Sequence, residues 1–204
     1  MTQKILLALL LLVSPIIAPA QTTSPINQAL SKVKSDNGLS IDFSIETMGS
    51  DDAGSGTYYA HKNMFYLETS ELKAWYNGRE LWIYLYSNGE INLSHPTTSE
   101  IIDINPLIGL SQITSKEYKL SSKNTPSGHN ITAVPLKPNV TPIEMVSIWG
   151  DKKEPLKTIE IKEKGLRQKI KIQIKAIKQN IKIDQQLFSY TPDKEPNIEI
   201  IDLR

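Results

Sequence analysis

Residues 72–94 read LKAWYNGRELWIYLYSNGEINLS. Three short runs rich in aliphatic and aromatic side chains, Leu72–Tyr76, Leu81–Tyr86 and Ile91–Ser94, are separated by Asn77-Gly78 and Asn88-Gly89. Asn-Gly supplies the positive φ angles of tight hairpins, so its placement between such runs predicts strands that pair antiparallel in chain order. Both faces of the central run are apolar, with Leu81, Ile83 and Leu85 set against Trp82, Tyr84 and Tyr86. A turn at each Asn-Gly puts Trp75 on the face of Trp82, and Ile91 and Leu93 on the face of Tyr84. A one-residue change of register would reverse that assignment. The aromatic face is the expected interior.

The same period of two extends outward. Toward the N-terminus, Met64–Thr69 and Thr57–Ala60 read as strands, GSDDAGSG (49–56) as a polar turn, and Ile41, Phe43 and Ile45 alternate with Asp42, Ser44 and Glu46. Before them, Ser24 caps and Pro25 starts an amphipathic helix carrying Ile26, Ala29, Leu30 and Val33, which Asn37-Gly38 ends. Toward the C-terminus, residues 99–113 (SEIIDINPLIGLSQI) are apolar without alternation and are broken at Asn105-Pro106, which predicts one or two short helices. Strands are expected at Ile131–Val134, Glu144–Trp149, Lys157–Lys162, Arg167–Ile177, Leu187–Tyr190 and Ile198–Ile201. The clearest alternation in the chain sets Ile170, Ile172 and Ile174 against lysines and a glutamine. Nearly a dozen antiparallel strands with a few helices predict an α+β domain on one large curved sheet. Such a sheet either closes into a barrel or curls into a half-barrel with helices over its mouth, and both leave an apolar interior able to hold a ligand.

Residues 1–20 carry Lys4, then the apolar run Ile5–Val13, then Ala18-Pro19-Ala20. This is the pattern of a signal peptide cleaved before Gln21, and the run is too short for a membrane-spanning helix. Export to the periplasm of a single domain, residues 21–204, is expected. Removing residues 1–20 takes one charge, Lys4, from 23 basic and 22 acidic residues, which leaves a balanced chain without the basic footprint of a nucleic-acid binder. The chain has no cysteine and three histidines, His61, His95 and His129, in separate segments. No His-x-x-x-His spacing and no Gly-x-Ser-x-Gly elbow occurs, and Gly54-Ser55-Gly56 reads as turn chemistry. Asp51-Asp52 and Asp193-Lys194-Glu195 read as solvated loop charges. A non-enzymatic protein is expected, with no catalytic residues, metal or cofactor.

Several of these stretches together resemble a known family. Asn63-Met64-Phe65, the run Trp75-Tyr76-Asn77-Gly78-Arg79-Glu80-Leu81-Trp82-Ile83-Tyr84, Asn105-Pro106-Leu107 and Phe188-Ser189-Tyr190-Thr191-Pro192 occur in the order of motifs of the periplasmic outer-membrane lipoprotein carriers, the LolA-like group. The resemblance spans nearly the whole chain after residue 20. It implies an incomplete antiparallel barrel, a half-barrel with short helices as a lid. It implies a carrier, working as a monomer, that takes acylated lipoproteins from an inner-membrane lipoprotein-releasing transporter and passes them to an outer-membrane acceptor. The acyl cavity would draw on Phe43, Phe65, Leu67, Trp75, Trp82, Tyr84, Ile91 and Leu93. The lid would carry Ile101, Ile102, Leu107, Ile108 and Leu110. The family has an Arg-Pro pair ahead of the Asn-x-Phe, with the arginine fastening the lid. This chain has His61-Lys62 there, which makes those two residues the candidates for that bond. The alternative within the same fold is a periplasmic sensing or regulatory domain that binds lipidated or misfolded proteins.

Overall fold

The computed structural model describes residues 24–47, 53–111, 113–193 and 198–204. The predicted signal peptide and its cleavage site lie outside the described residues, as do Asp51-Asp52 and Lys194-Glu195. The first helix, α1 (Pro25–Ser31), begins as its sequence dictates: the Ser24 hydroxyl accepts the Asn27 N–H, and proline occupies the first turn. Strands β1 (Leu39–Thr47), β2 (Ala53–His61), β3 (Met64–Thr69), β4 (Leu72–Tyr76), β5 (Leu81–Leu85) and β6 (Glu90–Ser94) follow as a meander. Two short helices, α2 (Thr98–Ile104) and α3 (Pro106–Ser111), interrupt the sheet. A second meander then runs through β7 (Tyr118–Thr125), β8 (Gly128–Pro135), β9 (Ile143–Gly150), β10 (Thr158–Glu163) and β11 (Lys169–Gln179), and β12 (Glu199–Asp202) comes last.

Among the described residues, the twelve strands belong to one open, curved sheet in the order β12-β6-β5-β4-β3-β2-β1-β11-β10-β9-β8-β7. The seam between the meanders is the β1–β11 pair. α1, α2 and α3 all bury their apolar side chains on one face, the inner face. There they join Leu39, Ile41, Phe43, Phe65, Ile131, Ile148, Ile159 and Ile172 in the main cluster. Each aliphatic side chain so buried contributes about 1.5–3 kcal/mol relative to exposure. The predicted alternation of β11 is present, with Ile170, Ile172 and Ile174 all packed on that cluster.

Four sequence expectations change. Gly54 and Gly56 lie within β2 rather than in a turn. A Cβ at Gly56 would stand 2.5 Å from Phe43 Cζ, so the missing side chain makes room for the Phe43 ring across the β1–β2 pair. Residues 118–125, with mostly polar and exposed side chains, form the edge strand β7, which no apolar pattern marks. Residues 185–188 form a 3₁₀ turn, capped by the Asp184 carboxylate on the Gln186 N–H, where a strand over Leu187–Tyr190 was expected. Finally, β12 pairs with β6 in parallel, not antiparallel. Both Asn-Gly hairpins exist with wider loops than two residues. At the first, Asn77 Oδ1 accepts from the N–H groups of Arg79 and Glu80 at 3.0 and 2.8 Å, and Gly78 takes φ +94°. The parity of the strands, and so their facing, is unchanged: Trp75 pairs with Trp82, Trp82 with Leu93 and Tyr84 with Ile91.

Candidate functional site

Helices of six and seven residues have little stability of their own, so what holds α2 and α3 is their caps and their packing. α2 opens with a complete capping box. The Glu100 N–H donates to Thr97 Oγ1, and the Thr97 N–H donates to Glu100 Oε2 at 2.6 Å. These donated bonds hold the Glu100 carboxyl below its usual pKa. Packing supplies the rest. Ile101, Leu107 and Leu110 are buried in the main cluster, while Ile104 and Ile108 pack on it partly exposed.

Between the two helices sits Asn105, 1% exposed. Its Oδ1 accepts the Leu107 N–H at 3.2 Å and so caps α3, which fixes the other end of the amide as Nδ2. Beneath it on β2 lies Tyr58, also buried, cross-strand from Ile41 and Leu67. The Tyr58 hydroxyl lies beside the Asn105 side chain, and burial pushes its pKa well above the ordinary tyrosine value. Asn105 Nδ2 nevertheless completes no hydrogen bond. An unsatisfied buried donor costs about 1–3 kcal/mol.

The inner face is nearly filled. A cavity of about 50 Å³ remains where Ile102, Gly109 and Leu110 of the helices meet Val146, Ile161 and Ile170 of the sheet. It adjoins a cleft of about 480 Å³ that opens between α2–α3 and the ends of β7–β9, and the two share Ile102, Gly109, Tyr118, Pro142 and Ile143. Ligand pockets typically measure about 300–1,000 Å³. The cleft reaches that size and the inner cavity does not, so a long apolar ligand fits the interior only if α2 and α3 shift.

The eight residues expected around one cavity divide between two faces. Phe43, Phe65 and Leu67 lie on the inner face beneath the helices. Trp75, Trp82, Ile91 and Leu93 form a separate cluster on the opposite face with Tyr190, and Tyr84 packs on its margin. The expectation that the aromatic face is the helix-covered interior is therefore corrected. Both faces of β4 and β5 are apolar because both are buried, one in the main cluster that α2 and α3 also join and the other in the cluster of Tyr190, on which Ile198 packs. His61 ends β2, paired with Met64, and Lys62 begins the β2–β3 turn, which the Lys62 N–H and C=O tie to Ser35 at 2.9 and 2.7 Å. The approach from β2 to the α2–α3 junction is made by Tyr58, three residues earlier in the strand. Sequence reading missed Tyr58 as a neighbour of that junction, and its alternation with Tyr59 held the only hint of its facing. Among the described residues, no group of histidines and carboxylates is arranged to hold a metal, and no helix is long and apolar enough to cross a membrane.

The model of the family described as outer membrane lipoprotein carrier protein LolA matches residues 20–141, from ahead of α1 through β8. Comparison with curated protein sequences finds no match. Among solved structures, an uncharacterized conserved protein from Thermus thermophilus superposes with a TM-score of 0.53 at 12% identity, over 87% of this chain and 96% of that one. That likeness bears on the fold alone. A LolA superfamily protein from Nitrosomonas europaea gives a TM-score of 0.44 at 11% identity, over 81% of this chain and 96% of that one.

Proposed function

Because the chain belongs to the LolA outer membrane lipoprotein carrier family, we propose that it is a periplasmic carrier and chaperone. It shields the acyl chains of lipoproteins beneath α2 and α3 and delivers them to the outer membrane. The observation that carries this reading is the cover of the inner face: two short helices, held by packing, over an apolar surface with a cleft beside them. In this reading α2 and α3 are the lid of a half-barrel. Ile101, Leu107 and Leu110 occupy the place of the cargo when it is absent, and Phe43, Phe65 and Leu67 form part of the acyl-binding wall. The residues of the opposite face, Trp75, Trp82, Tyr84, Ile91 and Leu93, hold the fold. Residues 1–20 direct export. An inner-membrane lipoprotein-releasing transporter loads the protein, and an outer-membrane acceptor unloads it.

The energetics favour a filled interior. Each buried methylene contributes about 0.8 kcal/mol, so several acyl chains would give a gross term of tens of kcal/mol and would never be released. A lid that competes for the same surface subtracts its own burial from that sum, which brings loading and release within reach of a partner's binding energy. Titration with an acylated lipopeptide and with its deacylated counterpart tests the reading. The acylated form should bind tighter by on the order of a hundredfold or more. Equal affinity for the two would overturn it.

A further inference from the structure

Among the described residues of the covered interior, Asn105 is the side chain with a buried polar end that completes no hydrogen bond. Its carbonyl oxygen caps α3. Its amide nitrogen is buried with the Tyr58 hydroxyl beside it and completes no hydrogen bond. The cap bond removes the ambiguity of amide orientation, because a backbone N–H must face the oxygen. A position that needed only a cap is served by serine or aspartate, neither of which brings a buried N–H. The spare donor stands at the centre of the inner face, above Tyr58 and between the strands that carry Phe43 and Leu67, at the junction on which both helices turn. A hydrocarbon chain offers it nothing. An ester or amide carbonyl at the head of an acyl chain offers the missing acceptor.

We propose that Asn105 Nδ2 is a ligand-binding donor for the carbonyl oxygen of an acyl ester or amide, with the Tyr58 hydroxyl beside it as the second polar group of the site. The inference rests on the carrier reading and deepens it. It makes the protein selective for acyl chains with a carbonyl head, and it places that head at the α2–α3 junction.

A diacylated lipopeptide with ester-linked chains and its ether-linked twin differ in those carbonyl oxygens alone. Wild-type protein should bind the ester form about tenfold tighter, the equivalent of about 1.4 kcal/mol. Asn105→Ser keeps an oxygen for the α3 cap and removes the amide, and it should bind both forms with the affinity the wild type shows for the ether. In unaltered protein, the Asn105 side-chain amide proton should move downfield in the NMR spectrum with the ester ligand and stay in place with the ether. Equal wild-type affinities, an unmoved resonance, or a preference that survives in Asn105→Ser would overturn the proposal while leaving the carrier reading intact. Binding of neither lipopeptide would overturn both.

Discussion

On one face of β2, β3 and β4 the rings run Tyr58, Phe65, Tyr76, with centroids 6.3 and 5.5 Å apart. On the other they run Tyr59, Tyr66, Trp75, with centroids 6.4 and 5.7 Å apart. The two ladders use the same strands and nearly the same residue types, and they differ in what covers them. The first lies under two short helices joined at a buried asparagine with an idle donor. The second is closed by Tyr190, whose ring meets Trp75 edge-on at 5.5 Å, and is bordered by a strand bonded into the sheet. The end of that strand is fixed further. The Leu203 N–H donates to the Leu93 carbonyl at 2.8 Å, and Arg204 pairs with both Asp202 and Glu80. In the proposed reading, an apolar face serves binding or structure according to its cover: backbone bonds and ion pairs fix a cover, whereas side-chain packing alone lets it exchange.

The sharpest way to break this contrast is to truncate one anchor on each side. Trp75→Ala should cost about 3–5 kcal/mol of stability, the usual loss for a buried large aromatic, and leave lipopeptide affinity within about twofold of wild type. Chemical denaturation and a binding titration on the same protein read both. A large loss of affinity would place cargo on the wrong face. Leu107→Ala should cost less, about 2 kcal/mol, because the helix that carries it is short and able to relax. Since the truncation weakens the hold of α3 on the inner face, which cargo needs in the proposed reading, affinity for the acylated peptide should rise by up to about tenfold. Unchanged affinity would mean that α3 is fixed core.

The smallest effect concerns the fixed cover. Arg204 holds the Asp202 carboxyl at about 2, below its usual value of 3.8. A depressed carboxylate stabilises the fold above its unfolded-state pKa and loses that contribution as the pH falls toward its folded-state value. Melting curves of wild type and Asp202→Asn should therefore differ slightly at pH 6, as for any exposed ion pair, and should converge between about pH 4 and pH 2. A constant difference across that range would remove the ion pair from the account of this cover.

Much of this architecture is legible in the residues. Ser24-Pro25 starts α1 where expected, the alternation of β1 and β11 gives their facing, and the Asn-Gly pairs order the meander even though their loops are wider than the minimum. What escaped reading is what neighbours decide. β7 has an exposed edge and so carries no apolar stripe. Gly54 and Gly56 look like a turn until the Phe43 ring is placed against them. The strand β5 is apolar on both faces, and no period within five residues tells which face a helix covers. Asn105 shows in the sequence as a helix break before proline, but its burial and its idle donor are facts of tertiary structure.

The seam between the meanders has a kinetic consequence. Within each meander every strand pairs with its successor in the chain, so hairpins can close over short loops. The β1–β11 pair joins Leu39 to Gln179 and Thr47 to Ile170 and must wait for both meanders to exist. Loop-closure entropy makes such a contact slow to form, so this seam is the expected rate-limiting event of folding. Until it closes, β1 is an open edge with Ile41, Phe43 and Ile45 on one side, a template for pairing with another chain. Its destined partner carries Lys169, Lys171, Lys175 and Lys178 among its isoleucines. Those charges repel a second copy of β11 and so act as gatekeepers against self-association during the delay.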